Sequence, residues 1–247
     1  MGVPDHFLGS FCVFRNNFTG TRPILLTTLN GMSVLDKLKS RLVYQGNYSQ
    51  RFVYWLTSHA PAGKFDSFRI WMSLMTCYDL FAFHGDWIGA FLQTGSPNKH
   101  MYARFPHGMK VMRNGVEMCM HLKKNLYGMV DAARNWFHTL EQWLLKDAPF
   151  KFKQMGSDQC CFWCQVGKEF MVLFLYVDDM IVLTTSVDLK VKLFDAIKKR
   201  FEFEDKGVLD YFLGITIKRD RENKKTTLDM NAYIKDKLKE FKLEGKK

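Results

Sequence analysis

The sequence predicts an α+β protein in which an antiparallel sheet is backed by helices, and three observations carry that prediction. The stretch "CCFWCQVGKEFMVLFLYVDDMIVLTT" (160–185) reads as strand, turn at Gly167-Lys168, strand, two aspartates, strand. "DAARNWFHTLEQWLLKD" (131–147) sets Trp136, Leu140, Trp143 and Leu144 along one side of a helix that Asp131 can cap. "SVDLKVKLFDAIKKRFEFED" (186–205) is a second amphipathic helix, with Leu189, Leu193, Ile197 and Phe201 on its buried face.

The other elements follow in chain order. Residues 1–37 mix turn residues with one short apolar run and give weak local signals. "LKSRLVYQG" (38–46) alternates as a strand that ends at Gly46. "FDSFRIWMSLMTCYDLFAF" (65–83) repeats apolar residues at helical spacing, at Phe65, Phe68, Trp71, Met72, Met75 and Tyr78, and predicts a buried helix. "DWIGAFLQ" (86–93) predicts a short strand running into a turn, and "KHMYARFPHGM" (99–109) a strand ending in a Pro/Gly loop. "VLDYFLGITIKRDRENKKTTLDM" (208–230) predicts a hairpin about the charged turn Asp220–Lys225. A last helix, "NAYIKDKLKEF", is expected to bury Ile234, Leu238 and Phe241.

Composition narrows the class. The 247 residues are 47% hydrophobic and 25% charged, which excludes a disordered or fibrous chain. Lys and Arg outnumber Asp and Glu by 36 to 25, and the resulting +11 is compatible with a polyanionic partner or with solvated lysines. Cys161-x-x-Cys164 has no second pair and no paired histidines at ligand spacing, so buried or surface thiols are expected rather than zinc. The N-terminus lacks a basic segment followed by an apolar one, and the longest apolar runs are far short of a membrane span. A soluble intracellular protein with no membrane partner is expected, its compartment open.

Asp178 and Asp179 stand in the middle of the most apolar run of the chain, "LFLYVDDMIVL". Ionised carboxylates are costly to bury and repel each other, so the pair is expected in the tight turn between two buried strands, at the rim of the sheet. A divalent cation cancels the repulsion; Mg²⁺ prefers carboxylate, phosphate and water oxygens. Two ions about 3.5–4 Å apart can clamp a phosphoryl transfer, and such a site wants a further carboxylate, for which Asp86 is the candidate. A turn with two solvated acids, and a surface acid at Asp86, are the plainer alternatives.

"YVDD" within this run resembles the catalytic motif of reverse transcriptases of copia-type long-terminal-repeat retrotransposons. Four further segments are similar to motifs of that family in its order. "KSRLVYQGNYSQ" (39–50) resembles a fingers motif, Lys-Ala-Arg-Leu-Val-x-x-Gly. "DWIGAFLQT" (86–94) resembles the first catalytic motif, Asp-Val-Lys-Thr-Ala-Phe-Leu. "LKKNLYGMVDAARNWF" (122–137) matches Leu-Lys-Lys-x-Leu-Tyr-Gly-Leu-x-x-x-x-Arg-x-Trp, and "DYFLGITI" (210–217) matches Tyr-Phe-Leu-Gly-Ile-x-Ile. Five ordered motifs are far more specific than one.

The resemblance implies a right-hand polymerase: a divergent segment over 1–37, fingers and palm from 38, a partial thumb from about 205 to 243, and a tail at 244–247. It implies an RNA-directed DNA polymerase acting on an RNA template, a DNA primer and deoxynucleoside triphosphates. Asp86, Asp178 and Asp179 would hold two Mg²⁺ ions, with Mn²⁺ as a substitute. Lys39 and Arg41 would neutralise the triphosphate, Phe91 would gate against a 2′-hydroxyl, and Gly128 would let backbone approach the nucleotide. Tyr176, Val177, Tyr211, Leu213 and Gly214 would support the primer. By residue chemistry alone, Phe91 reads equally as core, Gly128 as a turn glycine, Tyr176 and Val177 as sheet packing, and Lys39 and Arg41 as an exposed face. Ribonuclease H and integrase regions are expected in a full-length polyprotein of this kind and are absent from this sequence.

The first catalytic motif departs from the pattern. Trp87, Ile88 and Gly89 stand where the family has Val-Lys-Thr. Trp87 is a large volume change beside a metal ligand, and glycine weakens a strand. The lead-in over 15–38 has no counterpart either. A fragment of a decaying element is the reading these departures favour, and an inactive remnant that at most binds nucleic acid is the alternative to an active enzyme.

Overall fold

The computed structural model of the chain describes residues 12–16, 26–29, 32–35, 40–44, 46, 58–95, 101–105, 109–243 and 245. It has two compact units, Met1–Ala60 with Phe91–Trp136, and Pro61–Ala90 with Phe137–Lys247. In chain order the elements begin with strands β1 (Cys12–Asn16), β2 (Leu26–Leu29), β3 (Met32–Leu35) and β4 (Ser40–Tyr44), then helix α1 (Phe65–Cys77) and strand β5 (Phe81–Trp87). Next come β6 (Met101–Arg104), β7 (Met112–Arg113), β8 (Val116–Glu117), β9 (Cys119–Leu122) and α2 (Ala132–Lys146). β10 (Lys153–Gln154), β11 (Cys161–Val166), β12 (Glu169–Tyr176), β13 (Asp179–Thr184) and α3 (Val187–Arg200) follow. The chain closes with β14 (Phe203–Val208), β15 (Tyr211–Phe212), β16 (Ile215–Asp220), β17 (Lys225–Asp229) and α4 (Asn231–Glu240).

The first unit is built of antiparallel pairs: β1 with β4, β2 with β3, β6 with β9 and β7 with β8. Its core gathers Tyr44, Met101, Ala103, Met129 and Ala132. The strands expected over 38–46 and 99–109 are β4 and β6. The β7–β8 hairpin adds to the expected elements, and its Asn114-Gly115 turn has positive φ at both residues, the combination that tight hairpins favour.

The second unit holds an antiparallel six-stranded sheet in the order β10-β11-β12-β13-β5-β14. β12 and β13 are buried on both faces, which explains their unbroken apolar sequence. On one face, Phe68, Met72 and Met75 of α1 pack with Phe174, Ile181, Leu183 and with Phe212, Ile215 and Ile217 of the β15–β17 sheet. On the other, Phe194 of α3 meets Phe203 edge-on, with ring centroids 4.9 Å apart.

Three expectations need correction. The helix predicted over 65–83 stops at Cys77, and Phe81 begins a strand that runs to Trp87. Asp79 takes a positive φ there, and Arg219 donates to the Met75 and Leu80 carbonyls and to the Asp79 carboxylate. That cap comes from a distant part of the chain and leaves no local trace. Asp86 therefore lies near the end of a strand, not at the start of one. The helix predicted to reach residue 205 ends at Arg200; Phe201 is extended, and Phe203 with its alternating neighbours forms β14. Lastly, α4 buries no residue, and Ile234, Leu238 and Phe241 remain exposed.

Candidate active site

β12 and β13 form a hairpin in which Tyr176 pairs with Asp179, leaving Val177 and Asp178 as the two turn residues. The turn needs a positive φ at Val177, an unfavourable conformation for a β-branched residue. Asp178 lies in this turn with its Oδ1 buried, and Asp179 is the first residue of β13. On the other side of β13, Asp179 stands directly opposite Asp86 of β5, and Asp86 in turn stands opposite Glu204 of β14. Side chains of directly opposed residues share a face, so one row of three carboxylates crosses the rim of the sheet. The Trp87 N–H donates to the Asp178 carbonyl at 2.9 Å and ties the end of β5 to the hairpin turn.

Two cationic or ionisable side chains border that row. His84, two residues before Asp86 and on the same face, has its Nε2 2.8 Å from Oδ1 of Asp179. Lys206 Nζ donates to Glu204 Oε2 at 2.5 Å and lies 3.9 Å from Asp86 Oδ2. Burial, and then the facing Asp179 carboxylate, raise Asp86 above its ordinary pKa; Glu204 adds to this, and Lys206 and His84 oppose it. The hydrogen bond from Lys206 to Glu204 leads the effects that raise the lysine above its ordinary pKa, with Asp86 and Asp179 contributing.

Trp87 is not in this site. One residue on from Asp86, it points to the opposite face, where it is 1% exposed and its ring centroid lies 5.5 Å from that of Phe203. Gly85 shares that inner face, and Phe203 fills the space a side chain there would need. Of the residues that depart from the expected first motif, Trp87 thus serves the core behind the carboxylates, Ile88 is exposed, and Gly89 takes a positive φ in the turn that follows β5.

The family model for reverse transcriptase (RNA-dependent DNA polymerase) matches residues 20–247. The chain belongs to the reverse transcriptase family. This reverse transcriptase domain is 29% identical over 219 residues to the retrovirus-related Pol polyprotein from transposon TNT 1-94 of Nicotiana tabacum, covering 88% of the chain and 16% of that relative. It is 30% identical over 200 residues to the Pol polyprotein from transposon RE1 of Arabidopsis thaliana, covering 81% and 13% respectively. A shorter match, 29% over 127 residues, covers 48% of the chain and 7% of the transposon Ty1-DR1 Gag-Pol polyprotein of Saccharomyces cerevisiae. The copia-type resemblance read from the motifs is therefore shown, and the chain spans under one-fifth of the length of these curated relatives. No solved structure matches the chain.

The remaining candidate residues of the reverse transcriptase domain fall in several places. Lys39 lies outside the described residues; Arg41 has its backbone in β4, and its side chain lies outside them. Phe91 belongs to the first unit, where its ring packs against Tyr127 at 4.6 Å. Gly128 has φ +90, and a Cβ there would lie 1.9 Å from the Tyr44 carbonyl, so packing of β4 against this turn already requires glycine. Tyr176 meets Phe212 edge-on at 6.3 Å, and Phe212 also meets His84 at 5.8 Å. Phe212 thus anchors the hairpin segment beneath the site, while its neighbours Tyr211 and Leu213 stay exposed. Leu213 and Gly214 both have positive φ in the two-residue turn between β15 and β16.

The sequence alone does not single out His84, Glu204 or Lys206. His84 was legible in principle, since two residues before Asp86 on a strand is the same face. Glu204 and Lys206 gave no local signal, because β14 pairs with a strand more than a hundred residues earlier in the chain. Among the described residues, no three or more His, Cys, Asp or Glu side chains are grouped to hold a metal as they stand. None of the described helices is long and apolar enough to cross a membrane.

Proposed function

We propose that this domain is an RNA-directed DNA polymerase whose nucleotidyl-transfer centre is the carboxylate set Asp86, Asp178 and Asp179. The observation that carries the reading is the register that sets Asp179 against Asp86, with Asp178 in the adjoining turn. Asp86 is made less acidic first by burial and then by the facing Asp179, which supports a site where carboxylates stand close together. Hard oxygen donors in mutual repulsion fit Mg²⁺ or Mn²⁺. When bound, such ions lower the pKa of a primer 3′-hydroxyl and neutralise the triphosphate and departing pyrophosphate.

The chain's own residues would orient the reactants. Asp178 and Asp179 are held by a hairpin whose strands are buried on both faces, so their carboxylates start from a rigid frame. Tyr176 and Val177, with Tyr211, Leu213 and Gly214, would seat the primer strand. Lys39 and Arg41 would contact the triphosphate, Gly128 would admit backbone close to the nucleotide, and Phe91 would exclude a 2′-hydroxyl. Residues 38–243 would then be fingers and palm with a partial thumb from about 205. The net +11 charge supports a template and primer held through their phosphates.

The test is primer extension on poly(rA)/oligo(dT) with Mg²⁺, comparing wild type with Asp86→Asn and Asp178→Asn. Extension by wild type and its loss in both variants is expected. No extension by folded wild type that still binds the duplex would establish a non-catalytic remnant. Metal-dependent strand cleavage without synthesis would establish a nuclease.

A further inference from the structure

The sheet partner of Asp86 carries an irregularity aimed at the site. Between Asp205 and Gly207 the β14–β5 register shifts, so Lys206 is the extra residue of a bulge. The bulge is fixed at several points. Gly207 has φ +84, its N–H donates to Asp205 Oδ1 at 2.9 Å, and Asp205 is further held by Lys190. Bulges next to active sites commonly re-aim one side chain, and here the re-aimed ammonium reaches Glu204 and Asp86.

We propose that Lys206 is an internal counter-cation, which offsets part of the charge of Asp86 and Glu204 in the metal-free protein and competes with a divalent metal for Asp86. The inference rests on the reading of Asp86, Asp178 and Asp179 as the cation-binding carboxylates. The row Asp179–Asp86–Glu204 concentrates three negative charges on one face, and an uncompensated row would destabilise the strand pairing. The ammonium removes part of that repulsion. It does so as a single charge on a flexible stem, partly exposed, and can swing away when a doubly charged ion arrives. Glu204, the nearer partner, gives the displaced lysine a place to stay. In this arrangement Lys206 sets the metal concentration at which the site fills, and Glu204 belongs to the lysine rather than to the metal.

The experiment measures Mn²⁺ binding to the full chain by electron paramagnetic resonance of the free ion, with circular dichroism as the check of folding. Lys206→Gln should bind Mn²⁺ roughly fivefold more tightly than wild type, the scale of one partly exposed charge pair. Lys206→Arg keeps the charge and should bind as wild type does, and Lys168→Gln, in the turn at the far end of the β11–β12 hairpin, should change nothing. The gain from Lys206→Gln should vanish when Asp86→Asn is added. Equal affinity in wild type and Lys206→Gln, with binding still weakened by Asp86→Asn or Asp178→Asn, would overturn the counter-cation role and leave the site intact. Binding that ignores Asp86→Asn and Asp178→Asn, or no binding in any variant, would overturn the site and this inference together.

Discussion

Gly85 and Phe203 occupy the same space: a Cβ on residue 85 would lie 2.1 Å from Cζ of the Phe203 ring. The ring lies over the backbone of β5 one residue before Asp86, so the position of the candidate catalytic aspartate depends on a glycine and an aromatic on adjacent strands. Gly85→Ala should cost about 1–3 kcal/mol through overpacking. A shift of the urea midpoint without a change of slope is the expected readout. In a Phe203→Leu background the alanine should cost much less, and additive effects in that double-mutant cycle would contradict the contact.

The unusual Trp87 leads to a second expectation. Because its ring is buried against Phe203, replacing it by the valine of the family motif opens a cavity. Trp87→Val should therefore destabilise the domain by about 3 kcal/mol in thermal or urea unfolding. A variant as stable as wild type would show that Trp87 is not part of this core. Repairing the motif at this one position would harm the protein, since its neighbours are shaped to the tryptophan.

Asp205 ties the bulge to α3. Burial alone would raise its pKa, but the Lys190 ammonium and the Gly207 N–H outweigh burial and hold the carboxyl below its ordinary value. A carboxyl depressed in the folded state stabilises the protein above its unfolded pKa, and that contribution is lost as pH falls through the folded one. Asp205→Asn should thus be less stable near neutrality, by about 1 kcal/mol after allowance for solvent screening. The difference from wild type should close in acid, below the ordinary carboxylate range. Unfolding curves from pH 7 to about pH 2 test this; a gap that is constant with pH would contradict it.

The thiols make a further test. Burial, first among the causes, pushes Cys160 up to about 12 and Cys161 and Cys164 up to about 11. Trp71 Nε1 donates to Cys161 Sγ at 3.3 Å, as suits a packed thiol. In a Cys12→Ser variant at pH 8, Ellman's reagent should react quickly with the exposed Cys77 and leave these three untouched until guanidinium unfolds the chain. Rapid titration of all of them in the folded protein would contradict the packing.

Local patterning carried much of this protein. The alternation and unbroken apolar runs of 160–185 predicted β11, β12 and β13, and the 3.6-residue repeat predicted α2 and most of α3. The hairpin at 215–229 was legible from its charged turn. The reading failed where a local pattern was ambiguous and a distant group decided it. Tyr78 to Phe83 could continue a helix until Arg219 capped α1, and "FEFED" could extend α3 until β5 offered an edge. Composition likewise could not show that α4 leaves its apolar face open.

By itself the sequence determined the family and the carboxylate motif, because those signals lie within short stretches of chain. Only the tertiary structure decided that Asp86 faces Asp179, that Trp87 turns into the core, and that a bulge brings Lys206 to the carboxylates. Strand register and side-chain face are fixed by packing between segments far apart in the chain, and one residue of slip would have exchanged Asp86 for Trp87 at the site.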